Sequence, residues 1–360
     1  MKYYINIIMI FSVAFVVAFF MTPFVKALAI KVNAIDVPKD GRRVHNKPIP
    51  RLGGLAILAG FIMALIYYFI MVGLDEFVFN SKILGLLLGI IVIEIAGVWD
   101  DIKPIKAWTK LFFQIIAAAI VVMFGVRVEG LTNPFVENGF FELGIWSIPI
   151  TMVWIVGITN AINFIDGLDG LAAGVAMISS LSLLFIAIYL NQPQTMVLAA
   201  GLAGATMGFL PFNFNPAKIF MGETGSAFLG FTLGTIAIMG LVKTYTTIAI
   251  VVPLVVLGLP IFDTAFAIIR RVLSGKSPMQ ADRGHLHHRL VDSGLSQKQS
   301  VIILYIVSAF LGLAGIVLIE TEIWKFTLLI LTIVIFIIAG SRCMGEMNTV
   351  EKGENDDEKN

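Results

Sequence analysis

Long apolar runs separated by polar loops are the feature that most constrains this chain. The first, from Ile5 to Ala29, carries Lys26 as its one charge. It is longer than the roughly 7–15 residues of a signal-peptide core, and no small-residue cleavage pattern follows, so it reads as a membrane-spanning helix. Similar windows recur near 5–28, 52–72, 82–99, 108–126, 145–162, 170–190, 195–212, 226–242, 247–268, 300–319 and 325–341. Windows of roughly 17–25 residues match the hydrocarbon thickness of a bilayer. The expected architecture is an all-α polytopic membrane protein of about eleven transmembrane helices. One integral-membrane domain is expected over 1–341, and the polar stretch 342–360 reads as a short disordered tail. No soluble domain is expected on either side of the membrane region.

Composition supports this reading. The chain is 58% hydrophobic and only 14% charged, against about 25% charge in a soluble domain. So much apolar surface does not fit inside one soluble core. A net charge of +1 leaves no nucleic-acid footprint. The single cysteine, Cys343, excludes an internal disulfide framework and a cysteine-based zinc cluster.

Lys and Arg set the expected orientation. Lys31, Lys39, Arg42, Arg43, Lys47 and Arg51 follow the first span, and Arg270, Arg271, Lys276, Arg283, Arg289 and Lys298 precede the tenth. The positive-inside rule puts these loops in the cytoplasm, with the N-terminus outside and the C-terminus inside. Span parity then sends every chemically suggestive stretch to that same face: "WDDIKPIK", "TNAINFIDGLDGLAAG", "NFNPAKIFMGETGS" and "DRGHLHHRL".

Each stretch has a plainer reading beside the chemical one. Asp100 and Asp101 fall at a helix C-terminus, where acid opposes the macrodipole; paired carboxylates there suit a divalent metal or a general base. Asn160, Asn163, Asp166 and Asp169 recur every third residue, a step of about 300° that keeps side chains near one another. Amides alone often join membrane helices. A charge at bilayer depth costs roughly 2.5–3.5 kcal/mol, however, which argues against idle carboxylates. Amides and carboxylates together suit a sugar, a base edge or hydrated Mg²⁺. "FMGETGS" is a glycine-flanked turn opening a helix, with Glu223 as a metal-ligand candidate, and it lacks the spacing of a P-loop. His285, His287, His288 and Arg289 share one loop without the cysteines or the HExxH pattern of a zinc site, which favours phosphate or sugar contact. His45 joins another basic loop suited to phosphates. Together these residues point to phosphoryl chemistry at a membrane surface.

The ordered set "DVPKDGRRVHNKPIPRLGG", "DD", "NAINFIDGLDGLAAG", "FMGETGS" and "HLHHRL" resembles the polyprenyl-phosphate N-acetylhexosamine-1-phosphate transferases. These form glycosyltransferase family 4, with its MraY, WecA and TagO types, and the resemblance runs from Asp36 to Leu290. It implies transfer of a sugar-1-phosphate from a UDP-sugar to undecaprenyl phosphate, with release of UMP, at the cytoplasmic face of the plasma membrane. It implies Mg²⁺ as cofactor, with Mn²⁺ as a substitute, and it allows a homodimer. By the same resemblance Asp100 is the base for the lipid phosphate, and Asp101 stands beside it near the metal. Asn163 and Glu223 match positions around Mg²⁺. Asp166 lies close to the nucleotide, Asp169 meets the uracil edge and Phe220 stacks on uracil. Lys47 and Arg51 contact phosphate, and Asn160 completes the substrate wall. The histidine loop recognises sugar and diphosphate, with His287 and His288 in the catalytic set and His285 and Arg289 in the binding set.

"PRLGG" and "HLHHRL" look like the WecA/TagO branch, whereas the MraY branch carries Thr-Pro-Thr-Met-Gly-Gly and a His-His-His run. That implies UDP-GlcNAc, or a related UDP-HexNAc, as donor. The family turn usually holds Asp where this chain has Glu223, so Glu223→Asp is expected to keep or raise Mg²⁺-dependent turnover. Two other classes fit the chain less well. A transporter or flippase places polar groups near the bilayer midplane. A CDP-alcohol phosphotransferase needs an Ala-Arg element and a later Asp pair that this chain lacks.

Overall fold

The computed structural model describes residues 2–38, 47–72, 80–132, 140–241, 251–275 and 284–319. The span expected at 325–341, the polar tail, Cys343 and His45 lie outside the described residues. Seven of the described helical segments are long and apolar enough to cross a membrane. In chain order the first elements are α1 (Lys2–Lys31), the strands β1 (Ile35–Asp36) and β2 (Ile49–Pro50), α2 (Gly54–Val72) and α3 (Ser81–Ile102). Then come α4 (Ala107–Met123), the strands β3 (Gly130–Thr132) and β4 (Phe140–Glu142), α5 (Ser147–Ile165), α6 (Leu171–Tyr189) and α7 (Pro193–Asn213). The described chain closes with α8 (Gly222–Leu241), α9 (Val251–Val256), α10 (Gly258–Leu273), α11 (Leu286–Asp292) and α12 (Gln297–Leu318).

The helices pack as membrane helices do, through small residues that let backbones approach. Gly204 and Gly208 of α7 face the carbonyls of Phe11 and Phe15 on α1, and Gly60 of α2 meets Ala14 of α1. The other side of α1 leaves Ile8, Phe20 and Phe24 exposed, where lipid would lie. Helix α8 differs: residues 224–240 are all buried, enclosed by α2, α3, α5, α6 and α7. The window 226–242 does form a helix, but protein rather than lipid surrounds it. The window 247–268 is not one helix. It breaks at Leu257 between α9 and α10, because Pro260 has no N–H to offer the Val256 carbonyl one turn back.

Two short antiparallel ribbons modify the all-α expectation. β1 pairs with β2, and β3 with β4. The Pro48 and Pro50 positions favour extended backbone around β2. That ribbon is stitched to the loop before α8: Phe220 N–H donates to the Pro50 carbonyl at 2.8 Å, and Gly53 N–H returns a bond to the Phe220 carbonyl at 3.0 Å. The C-terminal ends of α3, α5 and α7 meet the N-terminal ends of α6, α8 and α12 at one end of the bundle.

Candidate active site

At that end a cavity of about 420 Å³ opens, lined by residues from all six of those helix ends and by Asp36 and Arg51 of the first ribbon. Its centre is a charge cluster. Lys110, one turn into α4, donates to Asp100 Oδ2 at 2.9 Å and to Glu223 Oε2 at 2.8 Å. Asp100 Oδ1 accepts from the Ile105 amide at 2.9 Å. Glu223 Oε2 also accepts from Asn163 Nδ2 at 2.9 Å, and Asn163 reaches Ser226 Oγ at 2.8 Å. One ammonium and one amide thus space two carboxylates contributed by α3 and α8.

Asp101 points into α8. Its Oδ1 accepts from the Glu223 amide at 2.9 Å, and its Oδ2 from the Thr224 amide at 3.0 Å and hydroxyl at 2.5 Å. It caps the first turn of α8 from a neighbouring helix and complements that helix's positive end. Arg51 pairs with Asp36 at 2.8 Å on the cavity rim.

The ladder resolves into distinct roles. Asn163 and Asp166 line the cavity, Asp166 as the first residue after α5. Asp166 has no hydrogen-bond donor among the described residues. Burial pushes its carboxyl up to about 8, and the carboxylates of Asp101, Glu223 and Asp169 push the same way. Asp169 lines the cavity too, but its Oδ2 is held by Asn215 Nδ2 and the Ala217 amide, both at 3.0 Å. Gly170 takes a left-handed φ of +80° to turn the chain into α6. Asn160 does not line the cavity. It clasps Gln114 of α4, donating to Gln114 Oε1 at 2.7 Å, and joins two helices. The expected place for Asn160 in the substrate wall is corrected accordingly.

The histidine loop also divides. Only His288 lines the cavity. His285 is buried with both ring nitrogens engaged, Nδ1 by Asp263 at 2.8 Å and Nε2 by Arg271 at 3.2 Å. His287, 2% exposed, lies over the bare face of Gly167, where a Cβ would collide with the imidazole. Burial pushes His287 down to about 3, so it is neutral at pH 7. Arg289 and Lys47 are exposed and away from the cavity, whereas Phe220 lines it. His285, Lys47 and Arg289 are therefore not brought to the cavity with the other binding candidates.

Sequence reasoning passed over several groups now at or around the site. Lys110 sits inside an apolar window, and its one signal was an isolated cation one turn into a helix beside the Asp pair. Gln114, one turn further, shares its face. Gln297 lines the cavity and Asn215 bonds to it at 2.7 Å. Asp263, a lone carboxylate within an apolar run, marked a partner for the histidine loop.

Comparison with known proteins gives the same grouping. Residues 83–241 match the family described as Glycosyl transferase family 4. The chain is 39% identical to the probable undecaprenyl-phosphate N-acetylglucosaminyl 1-phosphate transferase of Bacillus subtilis, over 96% of this chain and 94% of that protein. It is 33% identical to the decaprenyl-phosphate N-acetylglucosaminephosphotransferase of Mycolicibacterium smegmatis, over 81% of this chain and 77% of that one. A phospho-N-acetylmuramoyl-pentapeptide-transferase of Leptospira biflexa is 30% identical, over 77% of this chain and 83% of its own length. With near full-length similarity joined to these motifs and this polytopic helical fold, the chain belongs to glycosyltransferase family 4.

Proposed function

We propose that the chain transfers GlcNAc-1-phosphate from UDP-GlcNAc to undecaprenyl phosphate, releasing UMP, with the cavity open to the cytoplasm and Mg²⁺ as cofactor. The observation that carries this reading is the mixed lining of one membrane-end cavity: Lys110 and Arg51 among Asp100, Asp166 and Glu223. Cations there suit phosphate oxygens, and carboxylates beside them suit a divalent ion. The basic loops near the same end support a cytoplasmic position for it, by the positive-inside rule.

The donor set fits Mg²⁺. Among the described residues no three His, Cys, Asp or Glu side chains converge as a ready metal cluster. Mg²⁺ typically takes only one or two protein carboxylates and keeps water and phosphate oxygens for the rest. Asp166, without a donor of its own, and Glu223 would hold it, with Asn163 beside them. When bound, it neutralises charge on the donor diphosphate during phosphoryl transfer.

The chain's own residues do the remainder. Asp100, oriented by Ile105 and Lys110, takes the acceptor phosphate's proton. The freed acceptor oxygen bonds to the β-phosphorus of the donor, the bond from that phosphorus to the bridging oxygen breaks, and UMP leaves. Lys110 and Arg51 offset the negative charge that gathers there. Phe220 presents a ring on which the uracil stacks, and His288 adds an imidazole to the cavity wall.

A donor panel tests this. Purified protein with undecaprenyl phosphate and Mg²⁺ should release UMP from UDP-GlcNAc in preference to UDP-GalNAc and UDP-MurNAc-pentapeptide. Folded protein that turns over none of the three would overturn the proposal.

A further inference from the structure

His285 entered as a binding residue, yet its environment makes it something else. Arg271 has only donors, so its 3.2 Å contact with His285 Nε2 requires a lone pair on that nitrogen. The ring proton then sits on Nδ1, directed at Asp263 Oδ2 at 2.8 Å. With both nitrogens spent, His285 has nothing left to offer a substrate. The second carboxylate oxygen of Asp263 accepts the Leu286 amide at 2.7 Å, and Arg270 Nη1 donates to the Gly284 carbonyl at 2.7 Å. Three side chains of α10 therefore grip three consecutive residues, 284–286.

That grip is transmitted by rings. The His285 and His287 imidazoles stack at 5.7 Å with 16° between planes, and His287 meets His288 at 4.2 Å. On the other side His287 lies on Gly167, within the ladder between Asp166 and Asp169. His288 alone reaches the cavity. We infer that Asp263 and Arg271 are positioning residues that lock His285 as the Nδ1–H tautomer and, through the histidine stack, aim His288 into the donor site. Arg271 is itself buried, at 5% exposure, so its guanidinium is held within the protein rather than in solvent. The kinetic part of this inference rests on the proposed transferase reaction; the tautomer does not.

The test has two arms on the full-length protein in nanodiscs. The chain has four histidines, so ¹⁵N-histidine labelling gives a spectrum simple enough to assign. One imidazole, assigned by its loss in His285→Asn, should carry its ring proton on Nδ1, with Nε2 bare. An Nε2–H tautomer or an imidazolium for His285 overturns the inference, and this measurement needs no Asp263 variant to fold. In Asp263→Asn the Nδ1–H signature should vanish, and kcat/KM for UDP-GlcNAc should fall by about tenfold or more, as small misplacements of reactive groups do. The KM for undecaprenyl phosphate should stay unchanged, and Arg271→Lys should retain more turnover than Arg271→Met. An unchanged donor kcat/KM, or equal shifts for donor and acceptor, overturns the positioning role. If the wild type releases no UMP while His285 shows the expected tautomer, the reaction assignment fails and the clamp stands.

Discussion

Lys110 spans Asp100 and Glu223 at 2.9 and 2.8 Å, so truncating it leaves two carboxylates facing the cavity without their shared cation. Lys110→Met should lower UMP release by roughly 100-fold, the scale of losing one preorganised charge partner, and Lys110→Arg should recover part of it. The contacts of Glu223 also reverse an expectation. Its carboxylate touches Lys110 and Asn163 through one oxygen, and shortening the side chain retracts that oxygen by about 1.5 Å, one C–C bond. Glu223→Asp should therefore reduce turnover, with steady or raised turnover meaning that the α8 N-terminus follows the shorter arm. Asp166 has a pH signature of its own. Its carboxyl is held at about 8 in the fold, well above the roughly 3.9 of an unfolded chain. The folded state then binds one more proton between those values, and stability falls as pH rises through that window. In protein kept metal-free with EDTA, thermal midpoints of wild type should drop relative to Asp166→Asn from pH 4 to pH 8. Equal pH profiles would remove Asp166 as the proton-holding group. Motif spacing revealed Asp100, Asp166 and Glu223, because charge inside apolar sequence is conspicuous. It could not reveal Asp101 as a cap or Asn160 as a clasp, since both roles depend on a helix distant in sequence.

Helix α8 is placed by close contacts on its first turn, and these decide where Glu223 sits. A Cβ on Gly97 of α3 would stand 2.7 Å from the Thr224 Cα, against backbone that has no side-chain freedom to yield. Gly97→Ala should destabilise the protein by roughly 1–3 kcal/mol, the usual range for overpacking, and should cost activity by displacing Glu223. Thermal unfolding and UMP release measured on one preparation check both effects, and an unperturbed midpoint would show that α3 and α8 separate freely. Most elements were legible from apolar length alone, and the first eight windows each meet a helix at nearly the expected place. The interruption at Leu257 was visible in principle as Gly258-Leu259-Pro260, but hydropathy is blind to a missing N–H. Hydropathy was equally blind to the difference between lipid and protein around α8, because both solvents reward the same residues. The β1–β2 ribbon escaped because two-residue strands carry no periodicity; only its partner loop before α8 defines it.

At the scale of the whole molecule, the cavity lies at one end of the bundle and the β3–β4 ribbon connects α4 to α5 at the other. The protein offers a clean way to ask which end meets the cytoplasm, since Cys343 is its single cysteine. In a Cys343→Ser background, Lys47→Cys reports on the cavity end and Glu142→Cys on the opposite end, both sites being exposed. Charge asymmetry argues for the cavity end inside, because Lys and Arg are retained on the cytoplasmic side during insertion. The chemistry adds an independent reason, since a nucleotide-linked donor is made and kept in the cytoplasm and is too polar to cross the bilayer. In right-side-out vesicles a membrane-impermeant maleimide should label Glu142→Cys at once, and Lys47→Cys only after permeabilisation. The reverse pattern would put the cavity outside, beyond reach of a cytoplasmic UDP-sugar. In that event the bundle could be the same and the motifs the same, but the donor proposed for them would have to change.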